Sequence, residues 1–121
     1  MTHIRTFRQD PDHTMQPKFL SEAVYAEAME SMVIVNTDVV IIDPATRSLY
    51  LAKRKALPHS DWWIIGGRVM AGEPLEQAAT RNFVRETKLQ VSPESFRFIT
   101  LYRYLWSQRS QEPQDAGSDN L

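Results

Sequence analysis

Apolar residues recur at two different periods along this chain, and the change of period marks out its elements. Between Phe19 and Met32, Leu20, Val24, Tyr25, Ala28 and Met29 stand at helical spacing, with Ser21 placed to cap the helix and Glu22 and Glu27 on its polar side. Met32 to Asp43 (MVIVNTDVVIID) is rich in β-branched residues and predicts a strand, or two interrupted near Asn36–Thr37. Asp43-Pro44-Ala45-Thr46 predicts a turn, and Ser48 to Lys53 alternates as the returning arm of a hairpin. A loop follows over residues 54–61, where Pro58 holds Leu57 extended. Asp61 to Ile65 predicts a short strand, Gly66–Gly67 a turn, Arg68 to Met70 another short strand, and Ala71–Gly72 a second turn. A helix then opens at Glu73 or Pro74 and runs to about Lys88, burying Leu75, Ala78, Ala79, Phe83 and Val84. Ser92–Pro93 breaks the chain, and Phe96 to Trp106 predicts a long strand that puts Tyr102, Tyr104 and Trp106 on one face.

The two ends lack such a pattern. Residues 1–17 carry Pro11 and Pro17 without periodicity and predict a flexible arm; residues 107–121 are polar and predict a loop or disordered tail. That leaves one domain over residues 18–106, of the α+β class with a mixed sheet. Its composition, 42% hydrophobic and 24% charged, is that of an ordinary soluble globular domain. A net charge of −1 supplies no basic field for nonspecific nucleic-acid binding. The absence of cysteine excludes disulfides, thiolate nucleophiles and cysteine-ligated zinc, and fits a reducing compartment. No apolar run reaches the ~18 residues of a membrane span, and the N-terminus has no apolar signal core, so the expected location is cytoplasmic.

The densest chemistry lies between Gly66 and Leu89, reading GGRVMAGEPLEQAATRNFVRETKL. A glycine pair, an acid at Glu73, then Arg81 and Glu86 on a helix is an arrangement that presents carboxylates to a metal–diphosphate. Residues 82, 85 and 86 share one helix face, and of these only Glu86 is acidic. A lone helix glutamate is ordinarily a solvated residue. The whole stretch resembles the Nudix box, G-x5-E-x7-R-E-U-x-E-E-x-G-U with U aliphatic. Three positions depart from it: Asn82 and Arg85 stand where glutamates are expected, and Lys88 stands where glycine is expected.

The resemblance implies a sheet sandwiched between helices, a magnesium or manganese cofactor, and metal ligands at Glu86 and the Gly66 carbonyl, with Asn82 a weak third. It implies a structural pairing of Glu73 with Arg81. Loss of two helix glutamates with retention of the last is similar to GDP-mannose mannosyl hydrolases, which release GDP and free sugar. Leu51, Lys53, Arg54, Pro58, Trp62 and the GGRV run follow in that family's order. By position, Arg54 and Arg68 match arginines that contact the diphosphate, and Asp38 matches a strand-borne aspartate that positions the sugar or Arg54. Arg68, Arg54 and Asp38 are therefore the expected catalytic and substrate-binding residues. The family's base is a histidine in a C-terminal half that is expected to be absent here; His3, His13 and His59 occupy other positions. His59 reads either as a surface loop residue or as a neighbour of the sugar, and the aromatics read either as core or as a stacking surface. An exposed strand edge implies a homodimer. Two other readings stand beside this one: diphosphate cleavage of ADP-ribose or nucleoside triphosphates, and a nucleotide-sugar binding or regulatory module without turnover.

Overall fold

A computed structural model describes residues 4–56 and 60–121. The reading of His59, and that of Pro58 in the same loop, lies outside the described residues. Helix α1 spans Glu22–Ser31, and the expected cap is present: Ser21 Oγ accepts from the Val24 N–H at 3.3 Å. Strand β1 (Asn36–Val39) and strand β2 (Ile41–Asp43) come from the predicted β-branched run, which breaks at Val40 and not at Asn36–Thr37. The Asp43 carboxylate closes the turn by accepting from Ala45 N and Thr46 N at 3.0 and 3.4 Å. Strand β3 (Ser48–Tyr50) returns against β2, and strand β4 (Ala52–Lys53) pairs with strand β5 (Trp62–Trp63).

The glycine pair departs from expectation. Gly66 and Gly67 do not turn; they lie inside strand β6 (Ile65–Arg68), paired antiparallel with β1 so that Asp38 faces Gly66 and Thr37 faces Gly67. The reason is close approach on both faces of the strand. A Cβ on Gly66 would collide with the Asp38 carboxylate and stand 2.7 Å from the Thr37 carbonyl oxygen. One on Gly67 would stand 2.5 Å from Asn82 Oδ1 and 2.9 Å from Arg85 Nη2. The turn falls later, at Ala71–Gly72, where Gly72 takes φ +78° and Glu73 N donates to the Met70 carbonyl at 3.0 Å.

Helix α2 (Leu75–Thr87) starts after Pro74 and packs on the β1–β6 pair. It ends at Lys88, which adopts the left-handed conformation (φ 63°) and donates its N–H to the Val84 carbonyl at 2.8 Å. Lysine thus caps the helix with the backbone geometry that glycine would give more cheaply. Ala78 and Ala79 are buried beneath it, and with Ala26, Met29, Ile34, Val39 and Ile65 they form the small apolar core.

The C-terminal third differs most from expectation. Only Tyr104–Trp106 of the predicted long strand is regular, as strand β7. Its partner is strand β8 (Ser118–Asn120), in the segment whose composition predicted a loop or disordered tail. A polar strand carries no apolar alternation to reveal it, and here main-chain bonds and Arg109 hold the segment. That side chain is 1% exposed; it donates to the carbonyls of Gln111, Glu112 and Gly117 and to Glu30 Oε1 of α1. Among the described residues the four strand pairs are antiparallel and separate, and a parallel contact is made by an isolated bridge between Ile34 and Asn120. The helix-and-strand content of the expected α+β class is present. Residues 4–20 contain no regular element, and Met15 lies against Gly72. No helix among the described residues is long and apolar enough to cross a membrane.

Candidate functional site

The alternation of β1 and β6 sorts their residues between two faces. Thr37 and Gly67 turn toward α2, while Asn36, Asp38, Gly66 and Arg68 face a cleft of about 570 Å³, a size suited to a small-molecule ligand. Six basic side chains line this cleft (Lys53, Arg54, Lys55, Arg68, Arg85 and Arg109) against two acidic ones, Asp38 and Glu86. In a chain whose net charge is −1, that is a local concentration of positive charge. Its chemistry favours an anionic ligand with several oxygens, such as a diphosphate.

Each predicted residue has a definite place. The Arg68 guanidinium lies over the Tyr25 ring at 4.5 Å, so α1 supplies its platform. Asp38 folds over Gly66 with its carboxylate open to the cleft. Surrounding protein partly desolvates it and raises its pKa although the residue stays exposed on its cleft side, and the opposing charge of Arg54 only partly offsets this. Desolvation also raises the pKa of Tyr104, with the Asp38 charge acting in the same direction. Trp63 meets Tyr104 and Trp106 edge-on at 5.6 and 5.8 Å, and Tyr104 stacks on Trp106 at 5.6 Å and 13°. These three aromatics form a wall of the cleft, whereas Tyr102 is 65% exposed. Tyr102, Tyr104 and Trp106 do share one face, with the Tyr102 ring 6.2 Å from Tyr104 at 30°, but only Tyr104 and Trp106 join Trp63 of β5 in the cleft wall.

The box residues divide into two ion pairs. Arg81 Nε and Nη2 donate to Glu73 at 2.8 and 2.9 Å, and Nη2 also donates to the Arg68 carbonyl at 2.8 Å. Glu73 in turn accepts from Met70 N at 3.0 Å. The Arg81 hydrogen bond is the main cause holding the Glu73 pKa below its ordinary value. This pair ties the Ala71–Gly72 turn to α2 and to β6.

The second pair was not foreseen. Arg85 Nη2 donates to the Gly66 carbonyl at 3.1 Å and to Glu86 Oε1 at 3.0 Å, and Nε reaches the same carboxylate oxygen at 3.3 Å. The two groups expected to hold magnesium or manganese are indeed brought together, but around a guanidinium. Asn82 is unsuited as a third ligand: its side chain is fully buried, donates to Thr37 Oγ1 at 3.1 Å and accepts from Arg81 Nη1 at 3.3 Å. A neutral amide suits that dry position, where a carboxylate would need a counter-charge. Among the described residues no group of three or more His, Asp or Glu side chains converges as a metal site. One carboxylate and one carbonyl, both engaged by Arg85, do not fit a resident divalent ion. The signal for this contact was in the sequence, since Arg85 stands in the register of a ligand. Its reach back to β6 was not.

A family model described as a NUDIX domain matches residues 32–119, which includes the box and Ser118–Asp119 of β8. No match was found among curated proteins.

Proposed function

This chain belongs to the NUDIX domain family, and from that membership and the cleft we propose that it hydrolyses a nucleotide sugar at the sugar–diphosphate bond. Membership of the family points to a hydrolase of nucleoside diphosphates linked to another moiety. A GDP-hexose substrate, yielding GDP and free sugar, is favoured chiefly by one observation. The cleft gathers several arginines with the Asp38 carboxylate, whose pKa is raised, beside an aromatic wall.

Arg54 and Arg68 bind the diphosphate oxygens and stabilise the charge that develops as the C1–O bond breaks. Trp63, Tyr104 and Trp106 offer an apolar face to a base or sugar ring. Asp38 orients the sugar and Arg54, and its raised pKa suits it to take a proton from the attacking water. Members of this family generally use divalent ions such as Mg2+. The donors present here do not favour a resident one, so no step is assigned to it. Expected layering of helices about a sheet is supported by α2 on β1–β6 and by contacts of α1 with β8. Self-association into a homodimer is part of the same reading, supported by exposed apolar side chains such as Ile99 and Leu105, at 70% and 74%. Sedimentation velocity tests that part, and a purely monomeric boundary would remove it.

Hydrolysis in 18O-water of GDP-hexoses, ADP-ribose and nucleoside triphosphates, with and without Mg2+, tests the reaction. Free hexose carrying the label, with unlabelled GDP, is the expected result. Labelled phosphate products would mean diphosphate cleavage and overturn the glycosyl reading. A binding module without turnover is the second reading, favoured by Arg85 at the metal position. Saturable GDP binding with no product would establish it.

A further inference from the structure

Arg85 combines three properties that no other residue of α2 shares. Its side chain is half exposed in the cleft, it is tethered at both ends of the expected metal site, and it is permanently charged. Nε and Nη2 are committed to Glu86 and the Gly66 carbonyl, while Nη1 makes no hydrogen bond among the described residues. Two N–H groups on a fixed, oriented cation are therefore available to a phosphate oxygen.

We propose that Arg85 is the site's built-in cation: it occupies the place of the divalent ion and binds the diphosphate directly, so ligand binding is independent of metal. This rests on the reading of the cleft as a nucleoside-diphosphate site. Three features point the same way. A divalent ion between the Gly66 carbonyl and Glu86 would have to displace the guanidinium or sit against its charge. Of the three helix positions expected to ligate it, only Glu86 carries a carboxylate, because Arg85 is a cation and Asn82 is neutral, buried and bonded to Thr37. The guanidinium also stands in the last turn of α2, near the negative end of the helix dipole, where a positive group is favoured without any ion. Glu86 and the Gly66 carbonyl then act as positioning groups for Arg85. Arg54 and Arg68 share the rest of the diphosphate charge.

The test titrates the full chain with GDP by calorimetry, in excess EDTA and again in Mg2+, and with Mn2+ alone by electron paramagnetic resonance. The expected wild-type result is the same GDP affinity in EDTA and in Mg2+, with no saturable Mn2+ site. Arg85→Ala should weaken GDP binding by about tenfold to a hundredfold in both buffers. Arg85→Glu, which restores a second carboxylate, should gain a saturable Mn2+ site. GDP binding that disappears in EDTA, or a stoichiometric Mn2+ site in the wild type, would overturn the proposal while leaving the cleft a nucleotide site. GDP that fails to bind in both buffers would overturn the nucleotide reading and this inference with it.

Discussion

Two arginines one turn apart on helix α2 carry the same device put to different uses. At mid-helix, Arg81 bridges Glu73 and the Arg68 carbonyl; in the last turn, Arg85 bridges Glu86 and the Gly66 carbonyl. Both arginines link a glutamate to the main chain of β6. They differ in burial and in what the glutamate is attached to. Glu73 is 15% exposed in its side chain and belongs to the turn before the helix, so its bond to Arg81 fixes one segment against another. Glu86 is 46% exposed and adjacent to Arg85 on the same helix, so that bond fixes only the guanidinium. Identical chemistry therefore stabilises the fold at Arg81 and orients a charge toward ligand one turn later, at Arg85.

Breaking the first clamp should have the largest effect on stability. Arg81→Ala leaves a half-buried carboxylate unpaired and frees the turn, at an expected cost of about 3 kcal/mol in urea denaturation. A loss below that of Arg85→Ala would invert the comparison. Asp38→Asn should lower turnover by about a hundredfold with little change in fold. Unaltered kcat would remove Asp38 from the chemistry. Between the clamps, Gly67→Ala would press on both Asn82 and Arg85. It should destabilise by about 1–3 kcal/mol and weaken GDP binding together; an effect on one readout alone would separate what the geometry joins.

Acid sharpens the contrast further. The folded-state pKa of Glu73 is lowered, so its contribution to stability is present above its ordinary carboxylate value and lost as pH falls through the lowered folded value. Asp38 has the opposite sign. Its pKa is raised, so its contribution is fully present below its ordinary value and lost as pH rises through the raised one. Melting curves across the acid range should therefore show Glu73→Gln flattening the loss of stability at low pH, and Asp38→Asn stabilising the protein at neutral pH.

How much of this was legible in the chain depended on how local the cause was. The Ser21 cap, the Asp43 turn and the extent of α2 each depend on residues a few positions apart, and all were readable; the Glu73–Arg81 pair came from the family resemblance. Gly66 and Gly67 were readable as special but not as strand residues, because the groups that exclude a Cβ, Asp38 and Asn82, come from distant segments. Strand β8 was hidden for a similar reason: its order depends on a buried arginine that bonds to carbonyls, which leaves no apolar pattern. At the site, the family resemblance named Asp38, Arg54 and Arg68 as substrate residues and Gly66 and Glu86 as metal ligands; all five line one cleft, which leaves those roles as expectations. It assigned two of them to a metal because nothing in linear spacing shows a side chain folding back onto β6.

The division of labour between the clamps is tested most directly by thermal unfolding of the wild type, Arg81→Ala and Arg85→Ala, each with and without saturating GDP. The expected result is that Arg85→Ala melts within about 1 kcal/mol of the wild type when free, since an exposed pair contributes little. It should then lose most of the midpoint rise that GDP gives the wild type, while Arg81→Ala melts far lower and keeps that rise. An Arg85→Ala protein that melts as low as Arg81→Ala, with its GDP response intact, would contradict the account.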